Sequence, residues 1–456
     1  MTRISIVGYG RFGKVLYRLL KNDFAITLYD KKNVQKNAEL AKNTVVAKNV
    51  REVYTNDTVF YAVPIESFEK VISEHKKYFE KRHLLIDTLS VKIHPAQVFK
   101  KYLSAGGGSA SGGKGTGAQA ILTHPMFGPD STMSGFAELP IIMDKFSASR
   151  VNYDFWKKFF QKKHLKVVEM SAREHDSLAA DSQGLTHFVG RLLDLYGFEP
   201  TKIDSLGAKK LLEVKELINH DTWQLFTNLQ HYNSFTKKMR IKLGEVYDTL
   251  YNKLLPKQAN PDYITYGIQG GIGSFNEEAI MHYIETKGPH EHRIKYLYTS
   301  ERVMRALHEG EIDRGQFAIQ NSEGGLVAES IHAMAGYKFK IVDQFDIKIS
   351  HALMIRPDAE LNDIKTIMSH PQVFAQCKKT LTAKYPDLKL VSEGGDRIDH
   401  AVIAKELGGR KLSRSVAVMG SSVLAKLYGL KIVEDNLQDA KENYTSFLQV
   451  ARIQKN

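Results

Sequence analysis

Gly8-Tyr9-Gly10-Arg11-Phe12-Gly13 is a G-x-G-x-x-G string. In such a string the first glycine permits a tight turn and the second lets the backbone approach a pyrophosphate. The third lets a helix pack close to a strand. A helix opening there offers free N–H groups and partial positive charge to phosphate oxygens. Asp30 stands twenty residues after Gly10, where a carboxylate would hold ribose hydroxyls and repel a 2′-phosphate. The expected cofactor set is therefore Gly8, Gly10, Arg11, Phe12, Gly13 and Asp30, with NAD favoured over NADP, although Lys31 and Lys32 follow directly. Glycines of an ordinary strand–helix turn would look alike; the acid after them argues for a dinucleotide.

Two further clusters follow candidate strands, Asp87-Thr88-Leu89-Ser90-Val91-Lys92 and Thr123-His124-Pro125-Met126-Phe127-Gly128-Pro129. In an open parallel sheet the carboxyl ends of strands converge on one crevice, so Ser90 and His124 are expected near a nicotinamide. A histidine beside a substrate hydroxyl serves as general base when a hydride leaves. Taken singly, His124 reads equally as a turn histidine capping backbone groups. Later strings are Gly267–Phe275 (GIQGGIGSF), Gln320–Gly325 (QNSEGG), Ser369–Gln372 (SHPQ) with Gln376-Cys377, Tyr428–Leu430 and Asn443–Phe447 (NYTSF). These are glycine-rich turns with neutral hydrogen-bonding side chains, suited to carboxylates. Loop and cap chemistry uses the same residue types.

Elements must position these residues. Strands are expected at 3–8, 25–29, 59–62, 84–86 and 120–122, with helical patterns between them, the first at 11–21. That alternation predicts an α/β fold with a parallel, doubly wound sheet. Seven of the sixteen residues at 104–119 are glycine, which predicts a flexible insertion. Gly108, Gly113 and Lys114 have phosphate-loop spacing, but Gly115 stands where that motif needs Ser or Thr. From 151 to 255 the pattern is helical, with amphipathic stretches at 173–197, 207–232 and 235–255. The expected domains are 1–150 (dinucleotide-binding), 151–255 (all-helical, dimerising), a linker at 256–262, and a second α/β region at 263–456.

With 43% hydrophobic and 25% charged residues, the 456-residue chain can bury ample apolar surface, which excludes wholesale disorder. No run approaches the ~18 apolar residues of a membrane span. The opening RISIVGYG lacks a charged-then-apolar leader, so a cytoplasmic protein without membrane association is expected. Cys377 is the only cysteine, which excludes an internal disulfide or a multi-cysteine metal site; no metal is expected, and Cys377 itself reads as core. The net charge of +13 favours anionic partners. The basic residues are scattered, and no zinc-finger or RNA-binding signature is present. Small anionic substrates are therefore expected, not nucleic acid.

The stretch from Gly8 to Arg191 resembles the prephenate/arogenate dehydrogenases of tyrosine biosynthesis, through GYGRFG, DTLSVK, THPMFGPDS, LPIIMDK and EHDSLAADSQGLTHFVGR. The resemblance covers about residues 1–250, and HPMFGP and SQGLTHFVGR look most like the arogenate-type branch. It implies oxidative decarboxylation of prephenate or arogenate with NAD. His124 would be the base on the C4 hydroxyl, Ser90 would bond the same oxygen, and His187 would face the substrate. A buried helix-face histidine is the competing reading of His187. Arg191, one helical turn on, and Arg240 are candidates for the substrate carboxylates. Asp144 would pair with the amino group of arogenate, or be a solvated loop acid. The glycine-rich insertion departs from the family. By family habit the helical half forms a homodimer.

Residues 263–452 resemble prephenate dehydratase, the branch enzyme toward phenylalanine, through the later strings above. The resemblance implies two α/β lobes of the periplasmic-binding-protein type with the site in the cleft between them. Water and CO2 would leave, giving phenylpyruvate. Thr445 would protonate or hydrogen-bond the leaving hydroxyl. Ser274, Asn321, Ser322, Ser369 and Gln372 would bind carboxylates or line the cleft. Gln320 stands where the family has Glu, and Ser446 where it has Arg, as a matched removal of one ion pair would leave them. The sequence ends nine residues after Phe447, so the family's phenylalanine-sensing ACT domain is not expected. Two readings follow: a fused bifunctional enzyme, or an active dehydrogenase joined to a degenerate lobe that binds an aromatic ligand and regulates it.

Overall fold

The computed structural model describes residues 2–32, 34, 40–103, 116–288, 291–322, 324–394, 399–440 and 442–453. The glycine-rich stretch, with the expectations placed on 104–115, lies outside them. The chain forms two compact units, residues 1–246 and 247–456.

The first unit is built on eight described strands: β1 (Arg3–Val7), β2 (Ala25–Tyr29), β3 (Thr44–Val46), β4 (Thr58–Tyr61), β5 (Leu84–Asp87), β6 (Gln119–Pro125), β7 (Pro140–Asp144) and β8 (Lys166–Glu169). They run in the order β3-β2-β1-β4-β5-β6-β7-β8. All pair in parallel except β6 with β7. The chain leaves β1 toward β2 on one side and returns to β4 on the other, which opens a crevice above the carboxyl ends of β1 and β4. Alternate faces of the sheet feed two apolar cores.

The boundary expected at 150 is displaced. β8 pairs with β7, and helix Arg150–Lys162 lies on the sheet with Trp156 almost wholly buried. Trp156 stacks on Phe24 at 5.3 Å and meets Phe60 edge-on at 4.8 Å. Its helical aromatic stripe is therefore part of the sheet layer, which extends to about 169. The helices after it are Ala172–Ala179, Leu185–Tyr196, Leu206–Asn219, Trp223–Tyr232 and Thr236–Leu254.

The second unit carries two sheets. One contains β9 (Ile264–Ile268), β10 (His292–Tyr296), β11 (Arg314–Asn321), β12 (Gly325–Leu326), β13 (Lys340–Lys348) and, at the chain's end, β19 (Tyr444–Ala451). The other contains β14 (Ala352–Ile355), β15 (Thr366–Met368), β16 (Lys389–Val391), β17 (Val416–Gly420) and β18 (Lys431–Glu434). Their orders are β10-β9-β11-β19-β13, with β12 on β11, and β16-β15-β17-β14-β18. The chain enters the second lobe after β13 and returns through β19, antiparallel to both β11 and β13. This is the two-lobed α/β arrangement expected. No helix among the described residues is long and apolar enough to cross a membrane.

Candidate active sites

Gly8 turns the chain at φ +98°, where a Cβ would lie 2.4 Å from the Ala62 carbonyl oxygen. A Cβ on Gly13 would lie 2.2 Å from the Gly8 carbonyl oxygen. Both clashes are with backbone, so neither relaxes by a rotamer change. Gly10 faces open space, and no side chain caps the helix Arg11–Leu20 that it begins. Its first-turn N–H groups thus face the crevice without a side-chain acceptor. Asp30 accepts the Tyr9 N–H at 2.7 Å and the Lys32 N–H at 2.8 Å, fixing the end of β2 beside the turn. This cradle and its acid fit a dinucleotide. Arg11 instead reaches the His220 carbonyl at 2.9 Å and Asp221 at 3.4 Å, and Phe12 packs against Phe127.

β5 and β6 are adjacent and parallel, with Asp87 opposite Leu122. Ser90 follows the end of one and His124 closes the other, so both stand at neighbouring carboxyl strand ends. Behind His124 lies a chain that sequence reading missed. Its Nδ1 is 2.8 Å from His175 Nε2, and His175 Nδ1 is 2.8 Å from Asp176 Oδ1. Asp176 also accepts the backbone N–H groups of Lys92 at 2.7 Å and Ile93 at 2.9 Å. An acceptor-only carboxylate makes His175 Nδ1 the donor; His175 Nε2 then accepts from His124 Nδ1–H. The lone pair of His124 is thereby left on Nε2, which has no partner among the described residues. Burial, then the nearby His175 and Lys92, holds the His124 pKa well below the ordinary histidine value, so the ring is neutral.

Lys92 is also buried, and its ammonium bonds the Asp87 carboxylate and the Thr123 carbonyl next to His124. Burial lifts Asp87 to about 6 against the pull of Lys92. His187 is buried on helix Leu185–Tyr196, and its Nδ1 has no partner among the described residues. Arg191 is committed to the following loop, at 2.9 Å from Asn219 Oδ1 and 2.6 Å from the Asp221 carbonyl, and covers the Trp223 ring. Arg240 bonds the Gln230 side chain at 2.6 Å. Asp144 accepts the backbone N–H groups of Phe146 at 2.9 Å and Ala172 at 2.8 Å, which gives it a structural task.

In the second unit a cavity of about 100 Å3 is lined by residues from both lobes, among them Ser274, Asn321, Gln372, His400 and Thr445. β11 and β19 place Asn321 opposite Thr445. The Asn321 amide nitrogen shares its two N–H groups among Asn443 Oδ1 at 2.6 Å, Thr445 Oγ1 at 2.9 Å and the Tyr444 carbonyl at 3.1 Å, while its oxygen accepts the Gly324 N–H at 2.7 Å. Thr445 is thus an acceptor toward Asn321, and its own hydroxyl proton is available to the cavity. Ser274 caps helix Phe275–Lys287.

Ser322 and Ser369 do not line this cavity. Ser322 exchanges hydrogen bonds with the Tyr444 N–H and the Glu442 carbonyl, and Ser369 donates to the Met419 carbonyl at 2.7 Å. Gln320 and Ser446 are direct register partners on the same strands, one residue out of phase with Asn321 and Thr445. Side chains alternate across a sheet, so these two face away from the cavity. Gln320 is exposed, and Ser446 bonds Asp346 on the outer side. Neither departure from the family pattern touches the cleft. The lining also includes Glu329, His351, His370, Gln376 and Asp399, to which the sequence reading gave no role. Burial pushes the Cys377 thiol up to about 12, which leaves it an inert core residue.

Comparison with known proteins finds separate matches along the chain. Residues 16–141 match the model of the prephenate dehydrogenase nucleotide-binding domain, and residues 266–455 the model of prephenate dehydratase. Residues 192–262 match the model described as TYRAAT1-like, C-terminal domain. Arogenate dehydrogenase 2, chloroplastic, of Arabidopsis thaliana is 29% identical over 264 residues, which are 55% of this chain and 70% of that protein. Arogenate dehydratase/prephenate dehydratase 2, chloroplastic, of the same organism is 30% identical over 201 residues, which are 44% of this chain and 50% of that protein. A prephenate dehydratase structure from Arthrobacter aurescens, in complex with L-Phe, has 25% identity and a TM-score of 0.36, covering 41% of this chain and 60% of its own. The chain thus joins a segment similar to the prephenate dehydrogenase nucleotide-binding domain to a segment similar to prephenate dehydratase.

Proposed function

We propose that the chain is a bifunctional enzyme of aromatic amino-acid biosynthesis that draws prephenate, or its aminated form arogenate, toward both tyrosine and phenylalanine. The observation that carries this reading is that each half keeps the proton-handling group its reaction needs. These groups are a neutral His124 with an open Nε2, and a cleft-lining Thr445 whose hydroxyl accepts from Asn321 and so keeps its own proton to donate.

In the N-terminal half, Gly8, Gly10 and Gly13 form the pyrophosphate cradle, and Asp30 favours NAD over NADP by charge. The nicotinamide, when bound, supplies the hydride acceptor. His124 Nε2 takes the proton of the C4 hydroxyl, and Ser90 hydrogen-bonds that oxygen. As CO2 leaves, the electron pair of its broken bond passes into the ring, which becomes aromatic with oxygen retained at C4. His187, whose buried Nδ1 lacks a partner among the described residues, supplies a polar contact to the substrate. In the C-terminal half no electrons leave the substrate. Thr445 gives a proton or hydrogen bond to the departing C4 hydroxyl, and the pair from the C1–carboxylate bond completes the aromatic ring. Asn321 orients Thr445, while Ser274 and Gln372 line the cleft. A homodimer joined through the helical segment belongs to this reading.

Purified full-length protein given prephenate with and without NAD, then arogenate, tests it. NADH absorbance and phenylpyruvate or phenylalanine should both appear, and Thr445→Ala should abolish the second signal while sparing the first. NADH alone would reduce the C-terminal cleft to a ligand-binding lobe.

A further inference from the structure

We propose that the C-terminal cleft is built for the aminated substrate, with Asp399 receiving its ammonium group. This rests on the dehydratase reading above. The described residues lining the cavity include no lysine or arginine, but they include two carboxylates, Asp399 and Glu329. Among the described lining residues, a keto-acid substrate with two carboxylates would meet carboxylates and no cation. An amino-acid form brings its own.

Asp399 is the better placed acid. It is 5% exposed, and its carboxylate accepts only backbone N–H groups, from Gly271 and from Ala401 at 2.9 Å. The nearest ring nitrogen is His400 Nδ1 at 3.8 Å, and burial holds both His400 and the neighbouring His370 at about 4, so neither carries charge. A buried carboxylate without a cation is costly, and each of its oxygens retains a free lone pair. Glu329 is only part-buried and already accepts a side-chain amide, that of Gln269 at 3.3 Å, besides the Ser300 N–H at 2.9 Å.

Two other unsatisfied groups of the cavity point the same way. Gln376 Oε1 accepts the Asn443 amide at 2.9 Å and faces His351 Nε2, so that nitrogen carries the proton and His351 Nδ1 holds a lone pair. His351 is 1% exposed, and Nδ1 has no partner among the described residues. Gln372 spends its amide N–H on the Leu326 carbonyl at 3.3 Å, and its buried Oε1 is likewise unpartnered. A carboxylate, an imidazole lone pair and an amide oxygen all ask for donors. A keto group brings none, whereas an ammonium brings three.

The test compares kcat/KM of dehydration for arogenate and prephenate in the full-length protein and in Asp399→Asn. The native protein should prefer arogenate by about tenfold or more, the scale of one charge-assisted hydrogen bond. Asp399→Asn should remove that preference by slowing arogenate alone. A damaged helix cap or loop would slow both substrates alike, so an unchanged ratio overturns the proposal, as does a native preference for prephenate. Calorimetric binding of L-phenylalanine and phenylpyruvate, which differ only in amine against ketone, needs no turnover. Tighter binding of the amino acid that is lost in Asp399→Asn supports the proposal even if neither substrate reacts, an outcome that would sink the dehydratase reading alone. Equal or tighter binding of the keto acid overturns it.

Discussion

His124 becomes a useful base through the two residues behind it. Transfer of a proton to Nε2 leaves a cation in a buried site, and His175 with Asp176 is the route by which that charge is stabilised. Replacing His175 with Leu removes the acceptor of His124 Nδ1–H without adding charge. Dehydrogenase kcat should fall by about a hundredfold, the ordinary worth of general acid–base assistance, with KM little changed. An unaltered kcat would show that the contact is only packing. The pH profile follows from the same burial. The His124 pKa is depressed, so the base stays neutral as pH falls through the ordinary histidine value of about 6.5, and the acid limb of dehydrogenase kcat/KM should lie below it. His124 itself was legible from its type and its place after a strand. His175 and Asp176 were visible only as letters in EHDSLAADSQG, because nothing in their spacing says that residues fifty-one apart in sequence touch.

Helices Leu185–Tyr196 and Leu206–Asn219 meet where Gly190 faces Ile218. A Cβ on Gly190 would come within 2.7 Å of the Ile218 side chain, so the approach of these helices depends on that glycine. Gly190→Ala should cost about 1–3 kcal/mol by overpacking, despite the better helix propensity of alanine. Thermal unfolding of the variant measures it, and a raised midpoint would show that Ile218 gives way freely. His187 and Arg191 flank this contact on the same helix, so dehydrogenase activity should fall together with stability. The element pattern was readable where strands are long and apolar, as at 25–29 and 84–86. β8 was missed because four residues of sequence KVVE, none of them fully buried, carry neither a strand's alternation nor a core run. The stretch read as one helix at 173–197 is interrupted by a π-turn at Ala180–Gly184, whose wider winding leaves no mark in hydrophobic spacing. The C-terminal cleft was legible through Asn321 and Thr445, which register brings together. Asp399 and His351 were not, since an unpaired carboxylate and a lone pair without a donor are properties of burial, not of residue type.

The helical segment of the N-terminal unit carries a run of exposed apolar residues. Ile203 is 92% exposed, Leu195 82%, Tyr196 80% and Leu206 73%, with Leu192 and Leu217 about half exposed. Single exposed leucines need no account, but seven exposed large apolar residues between 192 and 217, Leu211 among them, fit an interface. The same segment has polar positions where it meets solvent, such as Lys209, Lys210 and Glu213, so the apolar residues are not a general loss of patterning. A second copy of this chain is the occupant this prediction names, since most homo-oligomers are two-fold dimers that pair the same face on both subunits. Sedimentation of the full-length protein at micromolar concentration should therefore show a dimer. Leu195→Asp with Ile203→Asp should convert it to monomer, because each buried carboxylate would stand without a partner. Dehydration should survive in that monomer, since the described residues that line the C-terminal cavity fall between 269 and 447, away from the helical segment in sequence. A native monomer, or a dimer untouched by both charges, would remove the helical face as the site of assembly.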